Sequence, residues 1–437
     1  MYTSFIGKKF LTAWNAREGK SLTAQQFFDE VMFPDFFDNN LHMLQVLNSK
    51  FVNPSVKGTN SEKRQMLQDQ IVEAVSINRA DGSFFVGYGA AEVTAGTSGQ
   101  LTSMRMQVEV QEIYASWIGA ALALGVEGGV CLLVSRDDLL WKIFEGWKAY
   151  REFLNTTPKI KGRQIETWNG QWIVHLSRGG DPKGCVPKTE ENEDEKKGKY
   201  ISIKTLGWTN VIFALCKQFP GEILTAYSYK LGKSNETIGF LNLHLHEVNR
   251  LYQFRDKVFF DKDESVLTYQ EIEALEPYFN FKGAAEFGAI GLRTLEPNKL
   301  RNYLPQRDPK KNKDINHTKE DTRKQFQIFK LWIYAMLNKS ELLELAGEIA
   351  TLLRDFEGKT ERGKSINHQL SKELRDASNL KAFLQKLSEI LVLFPSVATT
   401  DLHGKIEQVV KMPSDQLPLF ITLIRFEYAF QQAQSHN

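Results

Sequence analysis

Two histidines alternate in the run LNLHLHEV, His244 and His246. In a strand that spacing puts both imidazoles on one face, the start of a transition-metal site. Glu247 falls on the opposite face and no third ligand follows nearby, so the pair is expected to be structural and no metal is assigned. The second candidate is the run 87–103, GYGAAEVTAGTSGQLTS. A P-loop needs a lysine before its Ser/Thr, because that ammonium reaches the terminal phosphates. Here Gln100 follows Gly99, and Leu101 separates it from Thr102. Gly87-x-Gly89 lacks the third glycine of a dinucleotide fingerprint, and Glu92 would place negative charge where a pyrophosphate lies. A glycine-supported turn or loop is therefore expected. Its backbone N–H groups, with the side chains of Thr97, Ser98 and Gln100, can contact phosphate or base edges, and Gly99 permits close approach.

Other catalytic signatures are absent. No serine sits in G-x-S-x-G, and the residues around EILTAYSYK lack the carboxylate pair that would hold magnesium for a nuclease. Cys131, Cys185 and Cys216 are widely spaced and odd in number, as expected for free thiols in a reducing compartment. The cations Arg307, Lys310, Lys311, Lys313, Lys319, Arg323 and Lys324 are interspersed with Asp308, Asp314, Glu320 and Asp321. They read either as a solvated linker or as a strip that tracks phosphates. Arg17, Lys20, Lys50, Lys57, Lys63 and Arg64 form a looser set around NSKFVNPS.

The chain that must position these groups has 437 residues, 42% hydrophobic and 25% charged, with net charge +2. It is long enough for two or three domains. It has no global positive field, so any nucleic-acid surface must be a local patch. The N-terminus MYTSFIGKKFLTAWNAREGKS has no continuous apolar core. The most apolar run, IYASWIGAALALGVEGGVCLLV, is broken by Glu127 and a glycine pair. Neither a signal peptide nor a membrane span is expected, and the location expected is cytoplasmic.

Residues after Thr23 read as a helix interrupted at Pro34, and Gln65–Val75 as another. The segment Met104–Leu124 is helix or buried strand. Ser135 and Asp138 resemble a capping box opening the amphipathic helix DDLLWKIFEGWKAYREFL. In QIETWNGQWIVHLS, Asn169-Gly170 between aromatic, β-branched runs predicts a hairpin. SRGGDPKGCVPKTEENEDEKKGKY predicts a flexible excursion, YISIKT a strand, WTNVIFALCKQF a helix, and EILTAYSYKLGKSNETIGFLNLHLHEV a second hairpin. Beyond LPQRDPKKNKDINHTKEDTRKQ the chain reads as wholly helical. Leu342, Leu345, Ala346, Ile349, Leu352, Leu353 and Phe356 follow helical spacing, and LPLFITLIRFEYAF is apolar nearly all round, which marks a central helix. The fold class expected is α+β: a mixed α/β body with β-hairpins over 1–304, a charged linker over 305–320 and an all-α bundle over 321–437.

This layout, a mixed body with polar Gly/Ser/Asn/Gln loops and a helical bundle ending in MPSDQLPLFITLIRFEYAF, resembles the large subunit of a type I CRISPR Cascade. The resemblance implies a non-catalytic subunit of an RNA-guided antiviral surveillance complex, without cofactor. Its body would contact the crRNA and other Cascade subunits and read the protospacer-adjacent motif of double-stranded target DNA. Its bundle would lie along the displaced strand and help recruit a helicase–nuclease. Base pairing then supplies sequence specificity, and the protein supplies motif reading and strand opening. On that reading the residues expected at the duplex are Asn48, Lys50, Asn53, Thr97, Ser98, Gly99 and Gln100. Those expected at the displaced strand are Lys310, Lys311, Lys313, Arg323 and Lys324. The alternative is a metal-dependent nuclease or restriction-type enzyme using His244, His246 and nearby carboxylates.

Overall fold

The computed structural model describes residues 1–88, 107–194, 198–230, 236–259, 278–315, 320–339, 341–358, 364–394 and 400–435. The fold is α+β with a helical C-terminal part. Two compact units divide the chain: Met1–Leu245 with Ala285–Ile290, and His246–Ala284 with Gly291–Asn437. The division falls at Leu245 rather than near residue 304, and the segment 305–315 lies inside the second unit.

In the first unit, helices α1 (Tyr2–Glu18), α2 (Ala24–Phe27), α3 (Phe33–Phe36), α4 (Asn60–Ser76) and α5 (Val110–Ala120) precede strands β1 (Leu124–Val126) and β2 (Val130–Val134). Helices α6 (Asp137–Thr156) and α7 (Ile165–Ser177) lead to a hairpin, β3 (Thr189–Asp194) and β4 (Gly198–Ile203). Helix α8 (Trp208–Gln218), β5 (Ile223–Lys230), β6 (Glu236–His244) and β7 (Ala289–Ile290) complete the unit. The main sheet runs β1-β2-β5-β6-β7, antiparallel except for the parallel β6/β7 pair. Every residue of β2 is buried, so that strand is covered on both faces. The glycine pair that breaks the apolar run turns β1 into β2, with Gly128 and Gly129 at φ 88° and 73°.

Helices α1 and α5 cross at two glycines. A Cβ on Gly7 would lie 1.9 Å from the Ala115 carbonyl oxygen, and one on Gly119 would lie 1.9 Å from that of Thr3. The crossing holds the segment before the glycine-rich run: Thr3 Oγ1 donates to the Val86 carbonyl (2.6 Å), and Trp117 Nε1 donates to that of Phe84 (2.8 Å).

Four local expectations are corrected. The run containing Asn169-Gly170 is helix α7, not a hairpin. Asn169 Nδ2 donates to the carbonyls of Ala121 and Ala123, both at 2.9 Å, and a Cβ on Gly170 would come within 2.6 Å of the Gly125 oxygen. The two residues bring a buried helix close to β1 instead of turning a strand. The acidic run TEENED is strand β3, paired along its length with β4. Gln171 of α7 secures the hairpin base: Nε2 donates to the carbonyls of Lys188 (3.1 Å) and Lys204 (2.7 Å). Ser135 does not cap α6; its Oγ accepts from Lys9 Nζ (3.0 Å), while Asp138 pairs with Arg136 (3.3 Å). Pro34 does not end its helix, because a π-turn over Phe28–Met32 precedes it and widens the register where the ring would crowd a carbonyl.

The second unit is helical. It contains most of α9 (Leu245–Phe259), then α10 (Glu320–Leu337), α11 (Glu341–Gly358), α12 (Lys364–Arg375), α13 (Leu380–Leu393), α14 (Thr400–Val410) and α15 (Leu417–Ser435). The seven apolar positions of α11 are all buried, as their spacing predicts. Leu419 through Phe426 of α15 are buried without a break, the central position expected of an all-round apolar helix. No described helix is long and apolar enough to cross a membrane.

Candidate nucleic-acid interface

Residues 301–315 form a strap fixed on the second unit. Asp308 opens a single turn, its Oδ1 accepting from the Lys310 N–H (3.1 Å), with Pro309 supplying a preset φ at the first position. Asn312 Nδ2 donates to Asp376 Oδ1 (2.7 Å), and Asn312 Oδ1 accepts from the Gln306 N–H (2.7 Å). From α15, buried Arg425 reaches under the strap. Its Nη1 donates to the Tyr303 carbonyl (2.5 Å) and its Nη2 to the Lys313 carbonyl (2.8 Å). Tyr303 itself is buried against Phe326, Phe329 and Phe426, with ring centroids 5.3–6.1 Å away. The expected linker is thus hydrogen-bonded to the bundle at several points.

The strap presents cations. Lys310, Lys311 and Lys313 are exposed and make no ion pair among the described residues. Lys313 Nζ lies 5.0 Å from the Tyr303 ring centroid, a cation–π contact that limits where the ammonium moves. Beside Lys311 and Lys313 runs a groove of about 830 Å³, lined also by Arg301, Asn302 and Gln306 and by no carboxylate among its described residues. Arg301 is itself held by Glu296 at 2.9 and 3.1 Å. On the other side, Lys310 shares a groove with Lys372 and Lys386, but Glu373 and Asp376 line it too. Glu373 and Glu389 bond the Lys386 ammonium and hold its pKa above the usual lysine value. That groove is mixed in sign, and the Lys311–Lys313 side is the more positive.

Arg323 and Lys324 fall in the first turns of α10. In the first unit, Asn48 is exposed with φ 58°, Lys50 is half-buried, and Asn53 spends its Oδ1 on the Ser55 N–H (2.9 Å). Their loop is anchored by Phe51, which stacks on Phe37 at 4.3 Å. The looser N-terminal cations are largely engaged within the protein: Arg17 over Trp141 (4.2 Å), Lys20 over Trp14 (5.4 Å) and Arg64 over Phe33 (4.5 Å). Thr97, Ser98, Gly99 and Gln100 lie outside the described residues.

The histidine pair is split between elements. His244 ends β6 and His246 lies in the first turn of α9, so strand alternation does not apply to them. Glu247 Oε2 accepts from the Leu292 N–H (3.0 Å). Among the described residues no three His, Cys, Asp or Glu side chains stand close enough to hold a metal ion. All three cysteines are free, and burial pushes their thiols up, Cys185 to about 11.

Sequence reasoning missed Arg301, Lys372 and Arg425. Arg425 was masked by its apolar neighbours, although an arginine in the middle of an all-apolar helix is itself a sign of a buried polar task. Comparisons with known protein families, curated proteins and solved structures return no match.

Proposed function

We propose that the protein is a non-catalytic nucleic-acid-binding subunit, cytoplasmic, of the kind that the large subunit of a type I CRISPR Cascade represents. Within such a complex it would contact crRNA and the opened target DNA, and would work beside other subunits and a recruited helicase–nuclease. The observation that supports the binding reading is the strap: three exposed lysines within four positions, none in an ion pair among the described residues, on a backbone anchored to Arg425 and Asp376. Fixed cations that neutralise phosphates release counterions, which gives affinity without sequence preference. The likeness in layout supports the choice of complex.

The test is native purification of the tagged protein, followed by DNA-binding titrations across salt concentrations. Co-purification with a small RNA and several copies of a backbone subunit is expected. Replacing Lys310, Lys311 and Lys313 together with Gln should weaken DNA binding about tenfold or more at low salt, and reduce the slope of log K against log salt by roughly 2–3. A nucleic-acid-free monomer, or a triple variant with unchanged affinity and slope, would sink the reading.

A further inference from the structure

The first unit contains an open cavity of about 620 Å³, within the roughly 300–1,000 Å³ span of small-molecule sites. Its walls come from the loop after α3, the stretch before α7 and the hairpin β3/β4. These are tied together through the backbone: Arg163 N–H donates to the His42 carbonyl (2.7 Å), and Lys161 N–H donates to that of Ile201 (2.8 Å). Gly162 is required between them, since a Cβ there would sit 2.7 Å from the His42 oxygen.

The two cations of this wall are unpaired among the described residues. Arg163 is half-buried, and its guanidinium makes no hydrogen bond or ion pair among the described residues; exposed Lys161 makes none either. Arg151 is buried nearby; it donates to the carbonyls of Asp35 and Leu41 (both 2.7 Å) and to Asn155 Oδ1 (3.2 Å), and the Asp35 carboxylate offsets its charge. For half-buried Arg163, a cation withdrawn from water without a counter-charge is costly unless an anion arrives. His42 also lines the cavity. It is 8% exposed, and Asn60 Oδ1 takes its Nε2 (3.2 Å). Asn60 is oriented by its own Nδ2 donating to the Asn39 carbonyl (3.2 Å), so Nε2 carries the ring proton and Nδ1 is an acceptor. That buried Nδ1 has no partner. Burial and the nearby cations Arg163, Lys63 and Arg151 lower the pKa of His42, which keeps the ring neutral. Tyr200, Asn40 and Gln45 supply an aromatic ring and amides on the same lining, with Asp194 its one carboxylate among the described residues.

We propose that this cavity binds a phosphate-bearing ligand, with Arg163 and Lys161 gripping the phosphate. Arginine suits a phosphate because its fork donates two parallel bonds. The phosphate can belong to a free nucleotide or to the end of a nucleic-acid chain. The site uses none of the strap residues, and it stands or falls separately from them.

Calorimetric titration of the full chain tests it with inorganic phosphate, adenosine 5′-monophosphate, adenosine, and a short oligonucleotide with and without a 5′-phosphate. Saturable binding is expected for phosphate-bearing probes and not for adenosine. Arg163→Gln and Lys161→Gln should each weaken it at least tenfold, Arg163→Lys by less, and Asp194→Asn should tighten it by removing a repelling charge. The Lys310, Lys311 and Lys313 triple variant should bind these probes as the parent does, which separates this result from the DNA titrations. Equal binding of nucleotide and phosphorylated oligonucleotide assigns the site to the phosphate group itself; binding of the phosphorylated oligonucleotide alone assigns it to a chain end. No saturable binding of any phosphate probe, or undiminished binding in a folded Lys161→Gln variant, overturns the proposal.

Discussion

Glu166 is the most unusual single residue in the first unit. It occupies the second position of α7, is 6% exposed, and burial pushes its carboxyl up to about 7 from an ordinary 4.5. Its neighbours Cys131 and Tyr229 are pushed well up by burial as well, and among the described residues no cation pairs with the carboxylate. The folded chain keeps the Glu166 proton over a range where the unfolded chain has released it. The stability this contributes is complete below about pH 4.5 and is lost as pH rises through about 7. Glu166→Gln should therefore match the parent near pH 4 and exceed it at pH 8, by up to about 3 kcal/mol. Urea unfolding midpoints at the two pH values check this; a constant difference at both would assign the burial cost to something other than ionisation.

At the scale of elements, the α1–α5 crossing rests on backbone contact with no room for a methyl group. Gly119→Ala pushes a carbon into the Thr3 carbonyl, and since neither partner is a flexible side chain, the helices must separate. A loss of roughly 1–3 kcal/mol and a fall of about 2–12 °C in the melting midpoint is expected. Gly347→Ala is the contrast, because nothing lies within 4 Å of its added carbon in the interior of α11. There a gain of about 0.5–1 kcal/mol is expected from helix propensity. Thermal scans of the two variants decide the matter. The same comparison explains what the sequence could tell. Helix α11 was legible because one side faces a core, and the 3.6-residue spacing records that. Helix α7 was not, because nearly all its faces are buried and its Asn-Gly pair serves packing on β1. Strand β3 was hidden because all its carboxylates stand in water; its pairing comes from β4 and Gln171, neither of which a local composition reports. The strap lysines were visible as charge, but what fixes them, Arg425 more than a hundred residues away, was not. Lys161 and Arg163 drew no notice, since alternate cations in a short loop carry no motif.

For the whole molecule, the boundary of the helical unit matters more than its helix count. Tyr303 fills the space between Phe326, Phe329 and Phe426, and the strap takes both Arg425 bonds, so a fragment begun at residue 321 leaves an apolar hollow and a buried guanidinium unpaired. A 291–437 fragment should unfold more cooperatively, and at a higher temperature, than a 321–437 fragment when both are followed by circular dichroism. Equal melting would show that the strap adds little to the bundle. The return of Ala285–Ile290 to the first unit, where β7 joins β6, has a further effect. The chain passes between units three times, like thread through two pieces of cloth. No single scission can therefore yield two pieces that each carry one whole unit, and a gene cut once, or a chain nicked once, leaves some part of each unit on the other fragment.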